Sequence, residues 1–346
     1  MTAAKSRLVT VAVLLLASRA AAAHIQAWAD ASGIERACTI GVSPTSGCRG
    51  LLATRAVKRN EVLLRVPSKL TISVERDDDS GVDWLTRLAL RLAEEIHAGQ
   101  SSSHAAFVSS LPEPPRAPHQ WDADELELLQ NATLVREAVA RTTLLSDAYE
   151  CIADRTCVPR ATFDRAWELA ASRVVGARGA RGVRSERLLL VPYLDMANHA
   201  HGVGGQLSFD AATGDVMLLA GTNLAVGDEV LLDYGARCSS EFLLQYGFVP
   251  DHNPSDEAAV QLADGSRRVV RWSDARAPEP EVRAACERLL DEMPTSLSED
   301  AQELAGGRAQ GAHAMALSYR VAKKALLSAV AGHATTSAAT SAFARM

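Results

Sequence analysis

Asp195, Asn198 and His199 fall within five positions of one another, directly after the apolar run Leu188-Leu-Leu-Val. A carboxylate, an amide and an imidazole this close admit three readings. In the plainest, Asp195 caps a short turn, Asn198 satisfies backbone groups and His199 is a hydrogen-bonded core histidine. In the second, Asp195, His199 and His201 supply one carboxylate and two imidazoles to a metal. No further acidic or histidine cluster accompanies them, so no metal is expected. In the third, the Asn-His pair meets Tyr234, which ends the strand Glu229–Asp233, and together they form a pocket for a small charged cofactor. A tyrosine at a strand end can be a rim aromatic. With Gly235 behind it, it can also present its hydroxyl at a pocket mouth.

The elements that must bring these residues together are legible as changes of period. Residues 33–73 read as short strands between turns: Cys38-Thr-Ile with Val42, then Leu51-Leu-Ala-Thr, then Glu61-Val-Leu-Leu-Arg-Val. Trp84, Leu85, Leu88, Leu92 and Ile96 recur at helical spacing, predicting a helix over Trp84–Ala98. A proline-rich connector follows at Leu111, and Asp122 with Glu125 predicts a capping box for a helix whose apolar face is Leu126, Leu129 and Leu134. Thr162–Val175 is helical, and Gly176–Gly182 reads as a basic surface loop. A phosphate loop is disfavoured there, because such a loop follows a strand and opens a helix. Arg187–Gly247 is strand-like again, with a hairpin between Leu207-Ser-Phe and Val216-Met-Leu-Leu-Ala. Two helices follow, Glu281–Met293 and roughly Asp300–Val330, and Ala331–Met346 frays. A β block interrupted by helix and then resumed implies that the two β segments pair across the insert.

The chain of 346 residues has 47% apolar and 23% charged residues, as an ordinary globular protein does. A net charge of −6 speaks against a general nucleic-acid binder. The segment 1–23 has Lys5 and Arg7 ahead of the apolar run Leu8–Ala17, a secretory-signal pattern too short to span a bilayer. Arg19 among alanines suits plastid import as well, so both routes stay open. The six cysteines form no C-x-x-C pair and predict no zinc site. Cys151 and Cys157 are near enough to bridge in an oxidising compartment, against the simpler reading of unrelated thiols.

Four ordered motifs carry a resemblance: G-C-R-G-L-L-A-T (Gly47–Thr54), D-M-A-N-H (Asp195–His199), G-D-E-V-L-L-D-Y-G (Gly227–Gly235) and L-L-Q-Y-G-F (Leu243–Phe248). Together they resemble a SET-domain protein methyltransferase of the Rubisco large-subunit methyltransferase type. The stretch from Leu111-Pro through Trp121 to Leu129, and Trp167-Glu-Leu-Ala-Ala-Ser-Arg, are similar to that family's internal segments. The resemblance implies an α+β chain: a β-rich SET fold of short antiparallel sheets, split by a helical insert and followed by a helical domain. With the leader and the tail read from composition, the segments expected are 1–23 targeting, 24–80 first SET part, 81–182 insert, 183–250 second SET part, 251–330 substrate-binding-like helices and 331–346 tail.

It further implies S-adenosylmethionine as cofactor, contacted by Gly50, Leu51, Arg173, Asp195, Asn198 and His199. Tyr234 is the implied catalytic tyrosine, and Tyr246 an aromatic of the substrate channel. Arg49 stands where the family usually has an acidic residue, and Cys238-Ser-Ser replaces its common S-N-x. The implied partner is a protein presenting a lysine, or alternatively a histidine. No nucleic acid, no stable membrane span and a monomeric state are expected. A SET-like protein that binds peptides without turnover is the alternative from another class.

Overall fold

The computed structural model describes residues 23–178 and 186–333. The expected targeting segment up to residue 22, most of the expected basic loop (179–182) and the expected tail from residue 334 lie outside the described residues. In chain order, a helix over 23–31 (α1) precedes β1 (Glu35–Arg36), β2 (Cys38–Val42), β3 (Arg49–Ala53), β4 (Val62–Val66) and β5 (Ile72–Glu75). Five helices follow: α2 (Trp84–Ala98), α3 (Ala105–Ser110), α4 (Ala123–Glu127), α5 (Ala132–Glu150) and α6 (Arg160–Arg173). Strands return as β6 (Val175–Arg178), β7 (Glu186–Leu190), β8 (Asn198–His199), β9 (Gln206–Phe209), β10 (Val216–Leu219) and β11 (Glu229–Leu232). After α7 (Ser239–Tyr246) come β12 (Glu257–Gln261), β13 (Arg267–Arg271), α8 (Pro280–Glu292), α9 (Leu297–Ala305) and α10 (Gly311–Ala331).

The chain divides into two compact units. The first ends at Pro114 and resumes over Ala148–Tyr234; the second holds Pro115–Asp147 and the chain from Gly235.

In the first unit the strands on either side of the helices pair with one another. β4 is antiparallel to β10, β5 to β7, and β3 to β11. Leu51, Leu63, Leu64, Leu218 and Val230 supply buried side chains from those strands. β11 has two different neighbours along its length. Its first half faces β3 (Glu229↔Leu52, Val230↔Leu51), and its second half runs parallel to β8 (Leu231↔Asn198, Leu232↔His199). One four-residue strand therefore fixes Gly50-Leu51 relative to Asn198-His199. The link from β8 to β9 passes close against the chain after β10. A Cβ on Gly221 would lie 2.2 Å from the Gly204 carbonyl oxygen, so only glycine admits this crossing. Helix α2 starts where the Asp83 carboxylate accepts the Leu85 and Thr86 amides, and it packs its buried Leu88, Ala89 and Leu92 on α6.

In the second unit, Trp121, Leu129, Leu134, Leu243, Ala316 and Tyr319 form one buried cluster. Val260, Val270, Val282, Leu326 and Val330 contribute to another.

Several elements differ from the sequence reading. Val175–Arg178 is a strand on the free edge of β7 rather than the start of a loop. The helix expected through Leu126 and Leu134 is two helices, because Gln130 takes φ +50° and the Asn131 side chain caps α5 at the Leu134 amide. Ser239–Tyr246 is helical, not strand, with the Glu241 carboxylate accepting the Cys238 amide at its start. The segment after Pro254 opens with the hairpin β12–β13, whose Asp264-Gly265 turn (Gly265 φ +84°) is a hairpin signal that periodicity missed. The last helix breaks at Gly306-Gly307, giving α9 and α10. Cys151 and Cys157 carry free thiols.

Candidate active site

The segment that carries Asp195–His199 begins with strain. Tyr193, completely buried, holds φ +71°, a conformation a bulky side chain adopts only when its surroundings enforce it. Those surroundings are visible: the Arg36 guanidinium lies 5.1 Å over the ring, and the hydroxyl donates to Cys38 O at 3.4 Å. The chain leaves this point through a 3₁₀ turn, Leu194–Met196, into β8. The turn carries Asp195 and the strand carries Asn198-His199.

Asn198 donates through Nδ2 to Arg49 O (3.1 Å) and Glu229 Oε1 (2.8 Å), and Ser43 Oγ donates to the other Glu229 oxygen. A Cβ on Gly50 would stand 2.8 Å from Asn198 Nδ2 and 2.9 Å from Glu229 Oε1, so any other residue there would displace these two side chains. Leu51 beside it is fully buried between Ile40 and Val230. His199 Nδ1 lies 3.2 Å from the Tyr234 amide and 3.3 Å from Leu232 O, so the backbone of β11 and of the chain just after it fixes the ring. The Tyr234 ring lies 5.0 Å from the His199 ring, and its hydroxyl donates to Ala197 O at 2.8 Å.

On the other side of the 3₁₀ turn, Arg173 at the end of α6 brings Nε within 3.5 Å of Asp195 Oδ2, the two side chains being 15% and 2% exposed. They form an ion pair without closing a hydrogen bond: Arg173 Nε and both Asp195 oxygens are buried and unbonded. Burial pushes the Asp195 carboxyl up to about 6, against the pull of Arg173 and Arg49. Burial also lowers His199 to about 4, with help from the His201 ring 4.3 Å away.

These shifts have opposite linkage. The raised Asp195 contributes stability that is fully present below its unfolded pKa of about 3.9 and is lost as pH rises through about 6. The lowered His199 contributes stability present above its unfolded pKa of about 6.5 and lost as pH falls through about 4. Between those limits the two slopes offset one another. Asp195→Asn is expected to leave stability rising with pH across that window, and His199→Gln to leave it falling. Urea midpoints taken at several pH values read both slopes; parallel profiles for the two variants would refute the assignment.

The first unit thus brings together Gly50, Leu51, Arg173, Asp195, Asn198, His199 and Tyr234. Tyr246 is not among them: it ends α7 in the second unit, packed on Phe242 and Phe248 with the Arg237 guanidinium 5.7 Å over its ring. Glu229 and Ser43 were not singled out from sequence. Glu229 was open to notice as the acidic residue of G-D-E-V-L-L, at the head of a strand whose alternate side chains are buried. Ser43 carried no signal. Among the described residues no group of three or more histidine, cysteine, aspartate or glutamate side chains is placed to hold a metal ion.

This architecture is the SET fold, split by helices and followed by a helical C-terminal region. The solved structure of the SET domain of LSMT bound to lysine and AdoHcy matches 91% of this chain and 90% of its own, with TM-score 0.70 and 18% identity. The structure of Rubisco LSMT bound to AdoMet matches 90% and 91%, with TM-score 0.67. In sequence, the actin-histidine N-methyltransferase of Otolemur garnettii is 26% identical over 244 residues, 62% of this chain and 40% of that protein. The chloroplastic Rubisco large subunit N-methyltransferase of Pisum sativum is 23% identical over 257 residues, 65% of this chain and 51% of that protein. The chain thus spans about half or less of these curated relatives. No protein-family model matches it.

Proposed function

We propose that this chain is a protein methyltransferase that uses S-adenosylmethionine and methylates a nitrogen of a protein side chain, a lysine amine in the first instance. The observation that carries the reading is the Tyr234 hydroxyl held at 2.8 Å on the oxygen of Ala197, the residue before Asn198-His199 and two after Asp195, which pairs with Arg173. The residues fit such a donor. Buried, unbonded polar atoms on Arg173 and Asp195 suit a zwitterionic amino-acid head, and a guanidinium fork suits its carboxylate. Gly50 keeps the Asn198 side of the cradle free of a Cβ. When bound, the sulfonium supplies the methyl group and a ready leaving group.

The chain's own residues do the positioning. Tyr234 gives its hydroxyl proton to Ala197 O, and a phenol oxygen can also accept from an N–H. An acceptor there orients a neutral amine, and positioning carries much of the work in such a transfer. A lysine at its ordinary pKa is charged and cannot attack; a desolvated setting favours the neutral form. His199 is itself neutral near pH 7, so it adds no charge that would repel a cationic substrate.

Histidine is the second reading, favoured by the 25% identity to the actin-histidine N-methyltransferase of Homo sapiens. Among the described residues no helix is long and apolar enough to cross a membrane.

The test is transfer of labelled methyl from S-adenosylmethionine to proteins of a cell extract, with the modified residue read by mass spectrometry. Label on lysine supports the first reading and label on histidine the second. No transfer to any protein, with donor binding intact, supports a non-catalytic peptide binder. Arg173→Ala is expected to weaken donor binding by about 10- to 100-fold, the loss of one charge-assisted contact. Equal affinity by calorimetry would remove Arg173 from the site.

A further inference from the structure

Asp195 is not the counter-ion of Arg173 alone. Arg49, the first residue of β3, lies in the same cluster: its charge acts on Asp195 and on Arg173, and Arg173 in turn acts on it. Its backbone oxygen accepts from Asn198, and its guanidinium donates to Ser110 O at 3.0 Å and contacts the Met196 sulfur. Arg49 Nε, Arg173 Nε and both Asp195 oxygens are all buried without a hydrogen bond.

Native structures leave only a few such atoms, and four of those in this chain fall on three residues, Arg49, Arg173 and Asp195. The charges do not balance either. Arg173 pairs with this carboxylate and the charge of Arg49 acts on it as well, so two guanidiniums share one counter-ion in a setting where an unpaired charge is costly. An Arg–Asp pair needs no second arginine. A second one makes physical sense where a further anion is to be held.

We propose that Arg49 is a second guanidinium of the donor cradle, acting with Arg173 on the carboxylate of the donor's amino-acid end, with Asp195 as the buried counter-ion that holds the two cations in place. The proposal rests on the cofactor reading given above, and it assigns to Arg49 a role that the resemblance does not. Arg49 is then a residue that selects for the carboxylate, separate from those that hold the nucleoside.

Calorimetry with two nucleosides tests it. S-Adenosylhomocysteine carries the amino-acid end; 5′-methylthioadenosine lacks it. Arg49→Gln is expected to weaken S-adenosylhomocysteine by about 10- to 100-fold, the range for one charge-assisted contact, and to leave methylthioadenosine affinity as in the wild type. Arg49→Lys, which keeps the charge and loses the fork, should recover part of the loss. Retained methylthioadenosine binding also certifies that the variant is folded. Equal S-adenosylhomocysteine affinity in Arg49→Gln and wild type overturns the proposal. So does an equal loss for both nucleosides, which would make Arg49 a brace for Ser110 and nothing more. If the wild type binds neither nucleoside, it is the donor reading that fails, and the role of Arg49 falls with it.

Discussion

Tyr234→Phe is expected to lower turnover by about 10²- to 10³-fold while leaving donor affinity as it is in the wild type. The variant keeps the ring, so its packing beside His199 survives, and the backbone amide still donates to His199 Nδ1. What is lost is one oxygen. That oxygen gives a proton to Ala197 O, and a phenol oxygen can also accept from an N–H. Losing the bond to Ala197 costs about 1 kcal/mol of stability, too little to unfold the site. The loss should therefore fall on kcat, since an orienting acceptor matters most when the reacting atoms are aligned. Single-turnover rates with preloaded donor separate this from slow product release. A phenylalanine variant as fast as the wild type would show that the phenol does not orient the nucleophile. A variant that loses donor affinity instead would move Tyr234 into the binding cradle.

The geometry behind that expectation was partly legible in the sequence. The two β segments announced themselves by alternation and turn residues, and their separation by amphipathic helix required them to pair, as β3–β11, β4–β10 and β5–β7 do. Asn198, His199 and Tyr234 stood out as polar residues at the ends of apolar runs. What alternation does not encode is a change of partner within one strand, and β11 makes that change between Val230 and Leu231. Nor does any local pattern announce the left-handed Tyr193, whose conformation is enforced by Arg36 and Cys38, more than a hundred residues earlier. Arg49 shows the same limit. Its neighbours in sequence mark a turn, while the charges that act on it, Asp195 and Arg173, are reached only through the fold. In the helical C-terminal region the 3.6-residue period continues through Gly306-Gly307 even though the helix does not, so periodicity hides the break between α9 and α10.

The last helix hides a second expected effect. Asp300→Asn should destabilise the second unit by about 3–5 kcal/mol, the cost of breaking a buried ion cluster from one side. Asp300, Arg320 and Lys324 are 1%, 6% and 1% exposed in their side chains. Arg320 pairs with Asp300 through both carboxylate oxygens and donates to Leu128 O at 3.0 Å. Lys324 reaches Asp300 Oδ2 and Thr295 O, each at 2.6 Å. Burial alone would raise the Asp300 carboxyl, but the hydrogen bonds from Arg320, Lys324 and Thr295 outweigh it and hold the group below its ordinary value. Its contribution is therefore present above the unfolded pKa and lost as pH falls through the depressed folded one.

Asparagine keeps the shape and removes the charge, leaving two buried cations facing each other. Lys324→Met does the reverse: it leaves Arg320 and Asp300 as a balanced pair and fills the space with an apolar chain of similar length. It should cost clearly less than Asp300→Asn. Adding Lys324→Met to Asp300→Asn should recover part of the loss, since only one unpaired cation then remains. Urea unfolding of the three variants decides the matter. If Asp300→Asn costs no more than Lys324→Met, charge balance is not what holds α9 and the segment before α5 on α10, and hydrogen-bond geometry alone would have to account for their docking.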